Sequence, residues 1–274
     1  MKKQLFSIII PTLNEEKFLP KLLQSLVEQS NKDFEVIVVD GKSKDKTVEV
    51  ARRYEKKLPS LRVIASDKAS LPYQRNLGAK NAKGEWYVFV DADGIFLPYF
   101  VSRCLEYIHT TKTKFFTCWF RADSEEIKDA IIILLNNIVI EGYVLVHKPW
   151  SPGALVLVRR NVFLLVNGYN EEKKGFGEDH DFSTRLHNAH VKLDILREVL
   201  CVYSLRRHRK QGLFRALGTY VYSGISVLLT NKSPDEIPGF VMGGQLYNEK
   251  ILKWNEKIAK DISKHWQSIV TLFQ

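Results

Sequence analysis

Trp86-Tyr87-Val88-Phe89-Val90-Asp91-Ala92-Asp93 is the stretch that decides how the chain reads. Trp86–Val90 is wholly β-branched or aromatic and shows no polar alternation, which predicts a strand buried on both faces. Acids follow it at once. The same pattern recurs upstream. Residues 6–10 form an apolar run closed by Pro11, residues 35–39 run into Asp40, and residues 61–64 form a third short run. Helical spacing fills the gaps. Phe18, Leu22 and Leu26 recur every four residues with Leu19 and Leu23 beside them, and Asn14 is placed to cap that helix. Pro20 fits only if the regular helix begins near Leu19. Residues 48–56 form a second helix. A third starts at Ser70, carries Pro72 in its first turn where proline is tolerated, and ends by Gly84. Strand alternating with helix predicts a parallel sheet with right-handed crossovers.

Downstream the pattern is more mixed. Residues 154–158 read as a strand and 179–188 as a helix, while 192–194 and 199–203 are two short strand candidates. From Gly212 onward the pattern is helical, interrupted by a loop at 231–239 with Pro234 and Pro238. Ile251, Ile258, Ile262, Trp266 and Ile269 give the tail an amphipathic, basic character. No internal repeat is evident.

Composition narrows the class. The 274 residues are 45% hydrophobic and 26% charged, with 15 Gly and 9 Pro, which excludes a disordered, collagen-like or low-complexity chain. The net charge of +10 attracts phosphates, whether of nucleotides, nucleic acid or an anionic membrane. Cys104, Cys118 and Cys201 form no CxxC, which argues against a disulfide framework or zinc site and fits a reducing cytosol. Met1-Lys2-Lys3 opens like a signal peptide, but Pro11 and Asn14-Glu15-Glu16 break the apolar stretch and no cleavage site follows. The apolar runs at 131–140, broken by Asn136-Asn137, and at 216–230 are too short to span a bilayer.

In an open parallel sheet, ligands collect beyond the carboxyl ends of the strands. Asp91 and Asp93 sit at one such end. In an extended segment, residues two apart point the same way, and two close carboxylates repel unless a cation lies between them. Mg²⁺ or Mn²⁺ would accept these oxygens and leave positions for pyrophosphate. The plainer alternative is a turn at Asp93-Gly94. Gly177-Glu178-Asp179-His180-Asp181 is a second acidic cluster, either a dipole-matched helix start or a general base at a pocket mouth. His180 reads as a structural or surface residue, and His147, His187, His190 and His208 make no zinc pattern. The basic run 206–210 fits a solvated face, diphosphate neutralisation or contact with anionic lipid. Nucleic acid is disfavoured, because no zinc finger, helix-turn-helix or RNA-binding signature accompanies it.

Six blocks in this order resemble family-two inverting glycosyltransferases of the GT-A fold. They are Ser7 through Glu15, Val36 through Thr47, Arg75-Asn76-Leu77-Gly78 through Glu85, Val88 through Asp93, Gly153-Ala154 through Asn170, and Gly177 through Leu186. The resemblance implies a Rossmann-like α/β fold with a mixed, mainly parallel sheet flanked by helices. Residues 1–211 would form the catalytic domain, with a nucleotide half 1–94 and an acceptor half 95–211. Residues 212–274 would be a helical extension. The nucleotide-sugar site would comprise Pro11, Thr12, Asn14, Glu15, Asp40, Ser43, Arg75 and Asp91, with Arg206 and Arg207 on a late loop near the diphosphate. Asp93, with Asp91, would hold Mn²⁺ or Mg²⁺. Asp179 would be the base and Glu178 its neighbour shaping the acceptor.

The implied reaction moves a sugar from a UDP- or GDP-linked donor to a glycan or lipid-linked hydroxyl with inversion. Departures are Gly41, where a second Asp is usual, Asn167 before Gly168, and a missing Gln-x-x-Arg-Trp, which disfavours long-polymer synthesis. A sugar nucleotidyltransferase and a non-enzymatic basic membrane- or nucleic-acid-binding module are the competing readings. The expected location is the cytoplasm, with residues 213–229, Trp254 and Trp266 as candidates for contact with an anionic membrane face.

Overall fold

The computed structural model describes residues 5–147, 150–173 and 177–211. The expectations for residues 212–274, including the helical tail, Trp254 and Trp266, lie outside these described residues.

Eight strands form one sheet in the order β3-β2-β1-β4-β7-β6-β8-β5. They are β1 (Phe6–Thr12), β2 (Phe34–Asp40), β3 (Leu61–Ala65), β4 (Trp86–Val90), β5 (Ile95–Phe96), β6 (Phe115–Ala122), β7 (Leu155–Arg159) and β8 (Asp194–Tyr203). The helices are α1 (Leu19–Val27), α2 (Thr47–Arg52), α3 (Leu71–Asn81), α4 (Phe100–Thr110), α5 (Ile127–Leu145), α6 (Arg160–Leu165), α7 (Glu178–Asn188) and α8 (Arg206–Gln211). The first four strands run parallel, as the alternation of apolar runs with helices predicts. β7 then joins β4 antiparallel, so the sheet is mixed. The side chains alternate across it. Ile8 and Ile10 face a core built with α1 and α4, while Ile9, Tyr87 and Phe89 face a second one with α3, α6 and α7. Gly78 lets α3 approach β1, since a Cβ there would lie 2.4 Å from Ile9.

Several expectations shift. Pro11 does not close β1 but pairs with Val39 inside it. Asn14 caps no helix; α1 begins at Leu19 with Pro20 in its first turn. Asn14 instead adopts φ 55° and accepts the Lys44 N–H at 2.8 Å. The two short strands expected at 192–194 and 199–203 are one strand, β8, whose register against β6 slips around Trp119. The basic run 206–210 is a short helix, not a loop.

The run at 131–140 belongs to α5, a helix of 19 residues. Asn137 explains its polar interruption. The Asn137 side chain is buried, donates to the Phe120 carbonyl at 2.9 Å and accepts the Phe120 N–H at 3.1 Å, satisfying β6 where its register slips. The opposite side of α5 is apolar and open: Ile131, Leu134, Leu135 and Ile138 are each more than half exposed. Among the described residues no helix is long and apolar enough to cross a membrane.

Candidate active site

The loops after β1 and β2 are knitted together by uncharged donors. Ser43 donates its hydroxyl to Asp40 at 2.5 Å and its N–H to the same carboxylate at 3.0 Å. It also accepts the Asn14 N–H at 2.8 Å. Thr12 donates to Asp40 at 3.2 Å. Pro11, Thr12 and Asp40 are buried. Asp40 therefore spends much of its acceptor capacity on its own loop. Gln74 was not anticipated, and its Nε2 ties the two strand ends together, donating to Val39 O at 2.7 Å and Thr12 O at 3.0 Å. Only its place one residue before Arg75 hinted at it. A Cβ on Gly41 would lie 2.8 Å from the Gln74 side chain, which accounts for glycine where a second Asp is usual.

The other half of the site is built from charge. Residues 91–94 form a hydrogen-bonded turn, with the Gly94 N–H on the Asp91 carbonyl at 3.1 Å. The turn alternative thus holds alongside the functional one, and the extended-segment argument for Asp91 and Asp93 does not apply. Fully buried Arg75 is the hub. It donates to Asp179 at 2.8 Å and to the Gly153 carbonyl at 2.8 Å, and lies 3.5 Å from both Glu178 and Asp91. Its guanidinium sits 4.9 Å from the centre of the Tyr169 ring, which stacks on Phe182. Glu178 and Asp179 open α7 beside left-handed Gly177, where the helix dipole favours acids. Burial, then the Asp179 charge, pushes Glu178 up to about 8 against the pull of Arg75. Burial also raises Asp179, opposed by Arg75. Gly153 must lack a side chain, because a Cβ would come within 1.9 Å of an Asp179 carboxylate oxygen. His180 is buried, and burial lowers its imidazole.

A third cluster joins Glu15, Asp93 and Arg206. Arg206 grips Glu15 through two 2.7 Å contacts and reaches Asp93 through Nε at 2.7 Å. Burial raises Glu15 to about 7 even so. Arg207 is close enough to favour the charged forms of Asp91 and Asp93. The structure thus brings Arg75, Asp91, Glu178 and Asp179 together, and Glu15, Asp93 and Arg206 beside them; Asn14, Asp40 and Ser43 form the adjoining loops.

A family model described as Glycosyl transferase family 2 matches residues 7–149, more than half of the chain. The chain belongs to glycosyl transferase family 2. An uncharacterized glycosyltransferase of Haemophilus influenzae is 27% identical over 186 residues, covering 66% of this chain and 62% of that one. Among solved structures, Staphylococcus aureus TarS 1–349 in complex with UDP-GlcNAc aligns with TM-score 0.59 at 25% identity, over 74% of this chain and 59% of TarS 1–349. Mannosyltransferase PcManGT from Pyrobaculum calidifontis, in complex with GDP-Man and Mn²⁺, aligns with TM-score 0.62 at 19% identity, over 84% of this chain and 65% of its own. These likenesses confirm the expected GT-A architecture. The chain spans about three fifths of the length of the curated relatives it matches along most of its length.

Among the described residues no group of three or more His, Cys, Asp or Glu forms a metal cluster. The donor set still fits a hard divalent cation completed by ligand oxygens. Asp91 and Asp93 lie on one turn, and a cationic guanidinium already stands against Asp93 and Glu15.

Proposed function

We propose that this protein transfers a sugar from a nucleoside-diphosphate sugar to an acceptor hydroxyl by direct displacement, with inversion at the anomeric carbon. The observation that carries the reading is the Arg75 hub, which gathers a strand-end acid, Asp91, and the helix-start acids Glu178 and Asp179 beside the nucleotide loops. Pro11, Thr12, Asn14, Glu15, Asp40 and Ser43 would bind the nucleoside side, and Arg206 and Arg207 the diphosphate. A divalent cation at Asp93 and Asp91, Mn²⁺ or Mg²⁺, would offset charge on the leaving diphosphate. Asp179 would take the acceptor proton. Its raised basicity and its fixed position on Arg75 suit that role, and such help is typically worth ~10²–10⁴-fold. Arg75 is read here as the residue that orients the base, more than as a direct donor contact.

The two halves of the catalytic domain would divide at about residue 94, with nucleotide contacts before it and acceptor contacts after it. A lipid-linked acceptor is the version that α5 supports. Its open apolar side carries no charged residue between Lys128 and Glu141 apart from buried Asp129, and the chain is net +10. Such a helix suits the surface of an anionic bilayer. This adds α5 to the candidates for membrane contact named at residues 213–229.

The test is to incubate the protein with UDP-GlcNAc, GDP-Man and other UDP- and GDP-sugars plus Mn²⁺ and to measure nucleoside diphosphate release. Slow hydrolysis that needs metal and is lost in Asp93→Asn supports a transferase. Pyrophosphate release from a nucleoside triphosphate and a sugar phosphate would instead establish a nucleotidyltransferase. Flotation with phosphatidylglycerol vesicles that is lost in Ile131→Lys/Ile138→Lys supports the lipid-linked acceptor; no flotation removes it.

A further inference from the structure

Arg206 stands between two roles that conflict. The reading above gives Asp93 to a divalent cation and Arg206 to the diphosphate, yet here Arg206 is bonded to Asp93 itself. All three of its guanidinium nitrogens are engaged. Nη1 and Nη2 each donate to Glu15 at 2.7 Å, and Nε lies 2.7 Å from Asp93 Oδ2. The Phe18 ring lies under it, 4.2 Å from the guanidinium carbon to the ring centre, adding cation–π attraction in this position. The helix that carries it is also fastened at its far end. Arg209 of α8 pairs with Asp123 and lies 3.4 Å from Asp129 at the start of α5. α8 therefore bridges the β1 and β4 strand ends to the β6–α5 connection.

A guanidinium and a divalent cation repel each other when they compete for one carboxylate. A diphosphate changes the balance, because its oxygens match the planar guanidinium fork and outbid a single carboxylate in charge. The geometry points to an exchange. Arg206 holds Asp93 and Glu15 until the diphosphate of an entering nucleotide sugar draws the guanidinium away, and only then is Asp93 free for the cation. Arg206 is thus a positioning residue that makes cation entry depend on nucleotide entry. This inference rests on the metal-dependent reading of Asp93. It goes beyond that reading in assigning Arg206 an inhibitory role before the nucleotide arrives and a favourable one afterwards. If Arg206 merely neutralised buried Glu15, its removal would leave the cation no better bound.

The test uses the full chain and counts free Mn²⁺ by electron paramagnetic resonance, with and without UDP or GDP, in the native protein, Arg206→Gln and Arg206→Lys. Without nucleotide, Arg206→Gln is expected to bind Mn²⁺ about tenfold more tightly, the size of one close charge interaction. The gain in Mn²⁺ affinity on adding the diphosphate should shrink by a similar factor. Arg206→Lys falls between, because one ammonium cannot span both carboxylates. Circular dichroism verifies folding, and if Arg206→Gln unfolds, Arg206→Lys carries the same signed expectation. Unchanged or weaker Mn²⁺ binding in the folded variant, without nucleotide, overturns the exchange alone. Mn²⁺ binding that is absent from the native protein even with UDP or GDP present, or that Asp93→Asn leaves unaltered there, overturns the metal reading and the exchange with it.

Discussion

The two sides of the cleft are held by opposite means. Around Asn14, Asp40 and Ser43, hydroxyls and backbone N–H groups satisfy one carboxylate at short range. Around Arg75 and Arg206, five carboxylates (Glu15, Asp91, Asp93, Glu178 and Asp179) share two arginines. The first side is complete without a ligand. The second packs five carboxylates close together, and burial first, then repulsion from neighbouring carboxylates, raises Glu15 and Glu178. A preformed, satisfied loop suits recognition of a constant group, the nucleoside. An unsatisfied acidic cluster suits a place where cations, protons and a departing anion must come and go.

Removing the hub should show the contrast most strongly. Arg75→Met leaves three carboxylates without their common partner and is expected to lower stability by about 3–5 kcal/mol, read by urea unfolding. If the loss is near zero, the acidic side is not held by Arg75 and the contrast fails. Gly153→Ala should displace Asp179 from Arg75, lowering the melting temperature and, more strongly, sugar transfer, by roughly 10²–10⁴-fold. A fully active Gly153→Ala would remove Asp179 from the reacting group.

Glu178→Gln acts more gently and in the other direction. Burial and the neighbouring Asp179 push Glu178 up to about 8 in the folded chain, against 4.5 for an exposed glutamate. The folded state therefore holds a proton that the unfolded chain has released. The resulting stability is full below about pH 4.5 and is lost as pH rises through about 8. The amide cannot ionise, so Glu178→Gln should flatten the decline of melting temperature across that window and melt higher than the native protein at pH 8. A parallel decline in both proteins would mean that Glu178 is not charge-frustrated. The smallest effect belongs to the satisfied side. Ser43→Ala removes neutral hydrogen bonds and should cost about 1 kcal/mol of stability, with a weaker nucleotide-induced thermal shift and no change in the pH profile.

Much of this contrast was readable beforehand, and the reason for the rest is physical. β1, β2 and β4 were legible because strands buried on both faces need no partner to show their pattern, and β3, a partly buried edge strand, was legible as the next short run in the same alternation with helices. β6, Phe115–Ala122, is flanked by α4 and α5 and followed at once by Asp123, yet Thr117 and Arg121 interrupt its apolar run and hide the strand pattern. β8 read as two pieces because Arg197 and Glu198 interrupt its apolar run just where the register slips. The acids at the strand ends could be named from local sequence. Their shared arginines could not, because Arg75 meets Asp179 across 104 positions and Arg206 meets Glu15 across 191. Gly153 showed only as part of a block; its demand for an empty Cβ appears once Asp179 is folded against it.

The three thiols have a practical consequence. Cys104, Cys118 and Cys201 are unpaired and enclosed, and burial holds their ionisation well above the ordinary range. Maleimides react with thiolates that solvent can reach, so these sulfurs should stay silent during labelling. The native chain is therefore ready for single-site fluorophores without first deleting its cysteines. A dye on Lys210→Cys, at an exposed position of α8, would report directly whether that helix shifts when nucleotide and cation arrive.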